Sequence, residues 1–249
     1  MVIRCHTYID FSHKITPLSL FINENYDNNS TTTVKGPYML VNTRRKEICD
    51  KVWTELTHEF ENAKAANSQL QMSRDNISFH EDVKLLGYLC QETFNIIGDI
   101  LEIGVWKGKS LAYMQRLSPP NTKIVGVDPC ELAGQLQDLT YFHNKLFNTA
   151  EIIVQFSEKA VHQVSSVSKK FKLIHIDGGH TYHNVWMDFL LYERFLVPGG
   201  YIVFDDYNDT KSSPDVGLAV DELHRKGFFD KYTVIGSIPE FKNSFIITS

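Results

Sequence analysis

Two adjacent carboxylates, Asp205 and Asp206, directly follow an apolar run that reads Tyr-Ile-Val-Phe. A third carboxylate, Asp177, follows the earlier apolar run Phe171–Ile176 in the same way. Neighbouring strands lie about 4.8 Å apart, so these acids would meet at one edge if the two runs are adjacent parallel strands. Clustered carboxylates repel one another unless a cation is near, and hard oxygen ligands suit Mg²⁺, Mn²⁺ or Ca²⁺. The pattern predicts a divalent metal site at Asp177, Asp205 and Asp206; the alternative is a helix cap and a backbone contact.

His180 lies three residues beyond Asp177. An imidazole titrates near neutral pH and can accept a proton from a reacting hydroxyl. His180 is therefore a candidate general base, with a plain polar loop residue as the alternative. The four cysteines are scattered, without the spacing of a zinc site, and indicate reduced thiols.

A second set of residues has the spacing of a cofactor loop. Glu102, Gly104 and Gly108 form E-x-G-x-x-x-G before a helix that opens at Ser110, and Asp128 ends the next apolar run. Dinucleotide sites use G-x-G-x-x-G to hold a pyrophosphate, which the charge of Glu102 would oppose. S-adenosylmethionine carries an ammonium, a sulfonium and a ribose, and a strand-end carboxylate can accept the ribose hydroxyls. An ordinary tight turn and a turn cap are the alternatives.

The elements that must position these residues follow Gly98, where short apolar runs alternate with helical stretches. The runs are Ile100–Ile103, Lys123–Val127, Glu151–Phe156, Phe171–Ile176 and Tyr201–Phe204. The helical stretches include Ser110–Leu117 and His183–Leu196. This alternation predicts an α/β fold with a doubly wound, mostly parallel sheet. Two final strand-like runs, "KYTVIG" and "SFIITS", have no helix between them and predict a closing antiparallel pair, which makes seven strands.

Residues 1–97 read as an N-terminal helical extension and residues 98–249 as the cofactor-binding domain. Helices are predicted over Thr43–Leu70 and over Ser78–Ile97, where Ser78 and Glu81 match a capping box. The polar segment Asn23–Gly36 predicts a loop or disorder.

Bulk composition excludes several classes of protein. The chain has 249 residues, 43% of them hydrophobic, and a net charge of −5 without a Lys/Arg block. This argues against nucleic acid as a partner. The sequence has no apolar run of the ~20 residues that a membrane span needs and no signal-peptide pattern, so a cytoplasmic protein is expected.

From Gly98 onward the chain resembles the class I S-adenosylmethionine-dependent methyltransferases. The stretches "IDGGHTY", "LVPGGYIVFDDY" and "GLAVDEL" are similar to the macrocin O-methyltransferase and cephalosporin-hydroxylase-like group with its methyltransferase-24 relatives. The Asp/Asn-Pro-Pro-Tyr/Phe motif of adenine-methylating enzymes is absent. The family commonly has Asp-Gly-Asp where this chain has Asp177-Gly178-Gly179, which leaves the branch and the substrate open.

The resemblance implies roles for individual residues. It places Glu102, Gly104 and Gly108 at the methionine part of the cofactor, Asp128 at the ribose, and the third strand end beside the adenine. Ser157 and Glu158 are the candidates there, with a helix cap and a first-turn acid as the alternative. It also implies Asp177, Asp205 and Asp206 as metal ligands, and Asp177 as a rival to His180 for the general base.

These observations predict a metal-dependent O-methyltransferase acting on a hydroxyl of a small molecule of sugar or natural-product type. Residues 1–97 would cover the substrate side. A non-catalytic cofactor-binding or assembly protein is an alternative, and an NAD-dependent oxidoreductase is disfavoured by Glu102 and the glycine spacing. The acceptor is not identified, and a homo-oligomer is compatible with the sequence.

Overall fold

The computed structural model describes residues 43–67, 70 and 83–249. Every described residue belongs to one compact unit, Thr33–Ser249. The polar segment Asn23–Gly36 and the capping pair Ser78 and Glu81 lie outside the described residues.

The described part of the chain contains one seven-stranded sheet. Its strands are β1 (Asp99–Ile103), β2 (Ile124–Asp128), β3 (Glu151–Val154), β4 (Phe171–Ile176), β5 (Leu196–Phe204), β6 (Thr233–Ile238) and β7 (Phe241–Thr248). Their order is β3-β2-β1-β4-β5-β7-β6. The first five strands are parallel, and β7 pairs antiparallel with both β5 and β6. The predicted doubly wound sheet with its closing antiparallel pair is confirmed.

Helices cover both faces of the sheet. They are α1 (Thr43–Ala65), α2 (Val83–Glu92), α3 (Lys109–Leu117), α4 (Gln135–Leu146), α5 (Ser157–Val167), α6 (Tyr182–Tyr192) and α7 (Pro214–Arg225). One hydrophobic core joins α1 to α4 with one face of the sheet, and a second joins α5, α6 and α7 with the other. Within the described residues, no helix is both long enough and apolar enough to span a membrane.

Several predicted boundaries were wrong by a few residues. Helix α1 ends at Ala65 rather than Leu70, and α6 ends at Tyr192, where a 3-10 turn, Glu193–Phe195, takes over. Strand β5 begins at Leu196, five residues before the predicted start. The Pro-Gly-Gly sequence was expected to precede the strand, but it lies within it.

Pairing with the end of β7 explains why β5 continues through the glycines. Gly199 donates its N–H to the carbonyl of Ser249 at 2.8 Å, and Ser249 donates to the carbonyl of Gly200 at 3.1 Å. Gly199 has a φ of 77°, which a glycine adopts without steric cost. Backbone hydrogen bonds therefore outweigh the local turn propensity.

The register of the sheet aligns the functional strand ends. Ile103 is level with Val127 on one side and with Ile176 on the other, and Ile176 is level with Phe204. The residue that follows each of these positions must therefore emerge at the same edge. That edge is where ligands bind in open α/β sheets.

Candidate active site

Three acidic residues follow β4 and β5 at this edge. The N–H of Asp177 bonds to the carbonyl of Ile103 at 2.8 Å, and the N–H of Asp205 bonds to the carbonyl of Ile176 at 3.0 Å. These bonds extend the hydrogen bonding of the sheet by one residue and fix the backbone positions of Asp177 and Asp205. Asp206 has a φ of 57°, a left-handed conformation that turns the chain sharply after Asp205. The adjacent carboxylates therefore point in different directions.

Histidines complete two groups of candidate metal-binding atoms. The ligand atoms of His175, Asp177 and Asp205 lie within 4.8 Å of one another, and so do those of Asp177, His180 and Asp206. Asp177 belongs to both groups, whereas Asp205 and Asp206 belong to different ones. The sequence predicted that the three acids lie at one edge. It did not predict that Asp205 and Asp206 belong to different groups.

Burial and repulsion act on the inner carboxylate. Burial of Asp205, together with the negative charges of Asp177 and Asp206, raises its pKa to about 7, although His175 acts in the opposite direction. Two donors reach it, the Ser244 hydroxyl at 3.3 Å from Oδ1 and the backbone N–H of Asp206. A cation at this edge would oppose the burial and the repulsion that disfavour the ionised form of Asp205.

His175 forms a buried pair with Glu102 across neighbouring strands. Its Nδ1 lies 2.9 Å from Oε1 of Glu102, and both side chains are at most 3% exposed. Burial lowers the pKa of His175, but the bond to Glu102 and the charges of Asp177 and Asp205 have the larger, opposite effect. The net result is a pKa raised to about 9. Burial raises the pKa of Glu102, against the opposing effect of His175. The pair holds a proton directly beneath the acidic edge.

His180 stands at the solvent side of the same edge. Its Nε2 lies 3.4 Å from Oδ2 of Asp206 and 3.7 Å from Oδ1 of Asp177, and 44% of its side chain is exposed. Interaction with Asp177 raises its pKa, burial opposes this, and the charge of Asp206 adds to the rise. The arrangement makes His180 reachable by an incoming molecule.

The cleft beside these residues is formed by the ends of β4 and β5 and by α6 and α7. Its lining residues are Ile176, Asp177, Gly178, Gly179, His180, Val185, Phe204, Asp205 and Val216.

The glycines of the predicted cofactor loop are required by contacts within the protein. Gly104 has a φ of 87°, and a Cβ there would lie 1.8 Å from the carbonyl oxygen of Asp177. Gly108 has a φ of 83°, and a Cβ there would lie 2.1 Å from the ring of Phe147. The pattern was interpreted as close approach to a ligand. The structure shows that packing within the protein already requires a glycine at position 104, because the loop after β1 lies directly against the end of β4.

Asp128 holds the cofactor loop from the neighbouring strand. Its Oδ2 accepts the N–H groups of Val105 and Trp106, each at 2.9 Å. Its Oδ1 accepts the N–H of Cys130 at 2.7 Å and the side-chain amide of Gln135 at 2.9 Å. An ionised carboxylate has about four acceptor positions, so all are in use. The ribose contact stays a prediction, and it would replace one of these bonds.

The remaining predicted residues lie at two helix starts. Ser110 is the second residue of α3, and its hydroxyl interacts with Glu102. Ser157 is the first residue of α5, after the N-cap Phe156, and Glu158 is exposed in the first turn. Ser157 is therefore not the helix cap that was considered. The structure places both just after the end of β3.

Asp188 on α6 was not predicted. It is 1% exposed, and neither carboxylate oxygen has a hydrogen bond of good geometry to another described residue, although the Ser157 hydroxyl lies nearby. Oδ2 would lie 3.2 Å from a Cβ at Gly178, so the acid packs under the turn that follows Asp177. Burial raises its pKa to about 7 against the interaction with Ser157, with the charge of Glu158 adding to the rise. Its position in the amphipathic pattern of the helix did not indicate a buried acid.

We expect Asp188→Asn to stabilise the protein at alkaline pH. The folded protein keeps a proton on Asp188 that the unfolded chain releases near pH 4, so ionisation costs stability increasingly as pH rises toward about 7. Above that pH the full cost persists, and a neutral amide avoids it. Urea unfolding at about pH 8 should show a gain on the order of 1–3 kcal/mol that vanishes near pH 4. Equal pH dependence in the wild type and the variant would contradict this, and Asp215→Asn, an exposed acid on α7, is the control.

The fold and the site together define a class I methyltransferase. The chain belongs to the methyltransferase-24 family, whose model, described as a methyltransferase domain, matches residues 101–207. It is an S-adenosylmethionine-dependent methyltransferase, and the resemblance seen in the sequence is confirmed.

The chain is also similar to individual proteins and solved structures. The uncharacterized protein R132 of Acanthamoeba polyphaga mimivirus is 35% identical over 152 residues, which cover 56% of this chain and 67% of that protein. An O-methyltransferase from Bacillus cereus in complex with SAH has a TM-score of 0.55 at 16% identity, over 84% of this chain and 98% of its own. CalS11, a TDP-rhamnose 3'-O-methyltransferase of calicheamicin biosynthesis, has a TM-score of 0.54 at 16% identity, over 85% and 97%. At such identities the two structures establish a shared fold.

Proposed function

We propose that the chain transfers the methyl group of S-adenosylmethionine to a hydroxyl oxygen of a small molecule, using a divalent metal ion. The observation that carries this proposal is the acidic edge itself. Asp177 contacts the cofactor loop at Gly104 and also lies within 3.7 Å of the exposed His180. A methyl donor on that loop would therefore lie beside both a cation site and a proton acceptor.

The donor set fits a hard divalent ion. Asp177, Asp205 and Asp206 offer carboxylate oxygens, and a cation would offset the burial and the repulsion that raise the pKa of Asp205. We propose these three residues as its ligands. When bound, such an ion supplies Lewis acidity, which lowers the pKa of a hydroxyl group next to it.

The proton of the acceptor hydroxyl needs a base, and His180 and Asp177 are the two candidates. His180 is more exposed than Asp177, at 44% against 34% of the side chain. Deprotonation leaves an oxyanion that attacks the sulfonium methyl in line with the departing sulfur, which leaves as the neutral thioether. The protein's part is to hold the two reacting atoms in that line.

Glu102 fits the cationic end of the cofactor. Its Oε2 is buried without a hydrogen bond of good geometry to any other described residue, and Ser110 lies beside it. A buried carboxylate oxygen of this kind favours a nearby donor or cation. We propose that Glu102, Gly104, Gly108 and Ser110 form the methionine side of the site. Asp128, Ser157 and Glu158 would then form the nucleoside side.

Helix α1 supports the same loop from behind. The ammonium of Lys109, the first residue of α3, donates to the Thr57 hydroxyl at 2.7 Å and lies 4.0 Å from the ring centroid of Trp53. We propose that the described part of the N-terminal segment, residues 43–67, 70 and 83–97, covers the substrate side of the site. A sugar or natural-product hydroxyl is the acceptor class that we propose, and the named substrate of CalS11 is of that kind.

Thermal unfolding tests the cofactor part of this proposal. S-adenosylhomocysteine should raise the melting temperature, because a ligand that binds only the folded state stabilises it, and NAD should not. Asp128→Ala should lose most of the shift, since that carboxylate accepts two N–H groups of the loop, those of Val105 and Trp106. Glu151→Ala, which removes an exposed carboxylate at the opposite end of the sheet, should keep it. A shift with NAD alone would overturn the assignment.

A further inference from the structure

Ser213 occupies the N-cap position of α7 without capping the helix. A serine there normally accepts a hydrogen bond from a backbone N–H of the first turn. The Ser213 side chain makes no such bond, and the residue is 2% exposed. Its hydroxyl oxygen instead lies 2.9 Å from Nδ1 of His180 and 2.9 Å from Oδ2 of Asp206. The hydroxyl is therefore diverted from the helix into the candidate active site.

The two contacts fix the direction of both hydrogen bonds. An ionised carboxylate only accepts, so the single proton of the Ser213 hydroxyl is donated to Asp206. The hydroxyl oxygen then acts as the acceptor toward His180, whose Nδ1 must carry a proton. The reverse arrangement would leave two acceptor oxygens facing each other at 2.9 Å.

The other nitrogen of His180 is left available. Its distances to the two carboxylates, 3.4 Å and 3.7 Å, exceed those of ordinary N–H···O bonds. Once the imidazole is neutral, its lone pair therefore lies on Nε2, in a side chain that is 44% exposed. Which of the two ring nitrogens is protonated is set by the hydrogen bond of the other.

The backbone around Ser213 holds the hydroxyl in place. The Ser213 N–H donates to the carbonyl of Asp209 at 3.1 Å, and the N–H of Val216 donates to the carbonyl of Ser213 at 3.1 Å. The Asp209 side chain accepts the N–H groups of Lys211 and Ser212, at 3.0 Å and 2.9 Å. The loop between β5 and α7 is thus braced around this residue.

We propose that Ser213 is a positioning residue that holds His180 as the Nδ1–H tautomer, with Nε2 facing the reacting hydroxyl. The assignment of a reacting hydroxyl rests on the proposed function, whereas the tautomer does not. Ser213 also joins His180 to Asp206, so the proton acceptor and a candidate metal ligand share one fixed geometry.

Nitrogen NMR tests the tautomer without any methyl transfer. Long-range proton–nitrogen spectra of the ¹⁵N-labelled full chain, recorded at alkaline pH, separate the two ring nitrogens, and His180→Gln identifies the signals of His180. We expect Nδ1–H in the wild type and in Ser213→Thr, which keeps the hydroxyl. Ser213→Ala should move the population toward Nε2–H. An unchanged tautomer in Ser213→Ala would overturn the proposal, and Ser213→Gly provides a second hydroxyl-free variant if the alanine variant does not fold.

Kinetics then separates positioning from structure. Ser213→Ala should lower kcat about 10–100-fold with KM and the stabilisation by S-adenosylhomocysteine unchanged, and Ser213→Thr should restore most of the rate. Ser212→Ala, at the exposed neighbouring serine, should behave as wild type. Equal losses in both serine variants would contradict a specific role. If the wild type transfers no methyl group, the proposed function fails, and the tautomer still decides the role of Ser213.

Discussion

Chelation of divalent metal will abolish methyl transfer by this protein, and Mg²⁺ or Mn²⁺ will restore it. The expectation rests on Asp177, Asp205 and Asp206 at the ends of two adjacent strands, where burial and repulsion raise the pKa of Asp205 to about 7. Without a cation, burial and repulsion oppose ionisation of Asp205; with one, the three acids can act as ligands. The measurement is transfer of labelled methyl to acceptor hydroxyls after metal removal verified by elemental analysis. Full activity of verified metal-free protein in excess EDTA would reduce the acids to capping and cofactor contacts.

Single substitutions sharpen this expectation. Asp205→Asn and Asp206→Asn should each weaken metal binding on the order of 10²-fold or more while S-adenosylhomocysteine still stabilises the protein. Asp177→Asn should lose turnover most severely, because Asp177 belongs to both groups of candidate ligand atoms. Asp215→Asn, which changes an exposed carboxylate of α7, is the matched control. Metal affinity equal in all four variants would place the ion elsewhere.

His180→Ala will lower kcat by about 10²–10⁴-fold at saturating metal if the imidazole is the general base. The neighbouring carboxylates raise its pKa, so its neutral form, and with it the rate, should increase with pH through a value above the usual pKa of a histidine. A bound cation should move this rise of the rate to lower pH. In the alanine variant the rise should be absent.

His183→Ala is the control for this measurement, because His183 is an exposed residue three positions further along the chain. A variant at His180 that keeps a rate within about threefold of the wild type would assign the base to Asp177.

The sheet could be predicted from the sequence because most of its parallel strands are buried apolar runs, as in β2 and β4. Asp177 and Asp205 stand directly after apolar runs, and they were expected to meet at one edge if the two strands are adjacent, which they are. Helix α1 was equally visible, since its apolar residues repeat at helical spacing, and Leu56 and Phe60 among them are buried. Periodicity carries information about neighbours only a few residues apart.

Contacts between distant residues could not be predicted in the same way. Glu102 and His175 are 73 positions apart and meet because β1 and β4 are neighbours in register. Asp128 was assigned to a ribose, yet its acceptors are taken by groups on a different loop and on α4. A sequence shows which residues end a strand, whereas the order of strands decides which partners they find.

The glycine pattern shows a different limit. E-x-G-x-x-x-G was correctly interpreted as the loop after β1, but Gly104 is required by the carbonyl of Asp177 and Gly108 by the ring of Phe147. Ser213 is a related case, because it occupies the N-cap position of α7 while its hydroxyl contacts His180 and Asp206. Residue type indicates a local conformation without naming the group that demands it.

Strand β7 has a consequence for how the chain reaches its folded state. It lies between β5 and β6, so a partly folded molecule that lacks it exposes the open edge of the strand that leads into Asp205. The edge residues Tyr201–Phe204 are apolar, and such an edge can pair with another molecule. Late docking of Phe241–Thr248 would therefore make aggregation compete with folding, and destabilising changes in β7 should lower the yield of refolded protein more steeply than equally destabilising changes in α5.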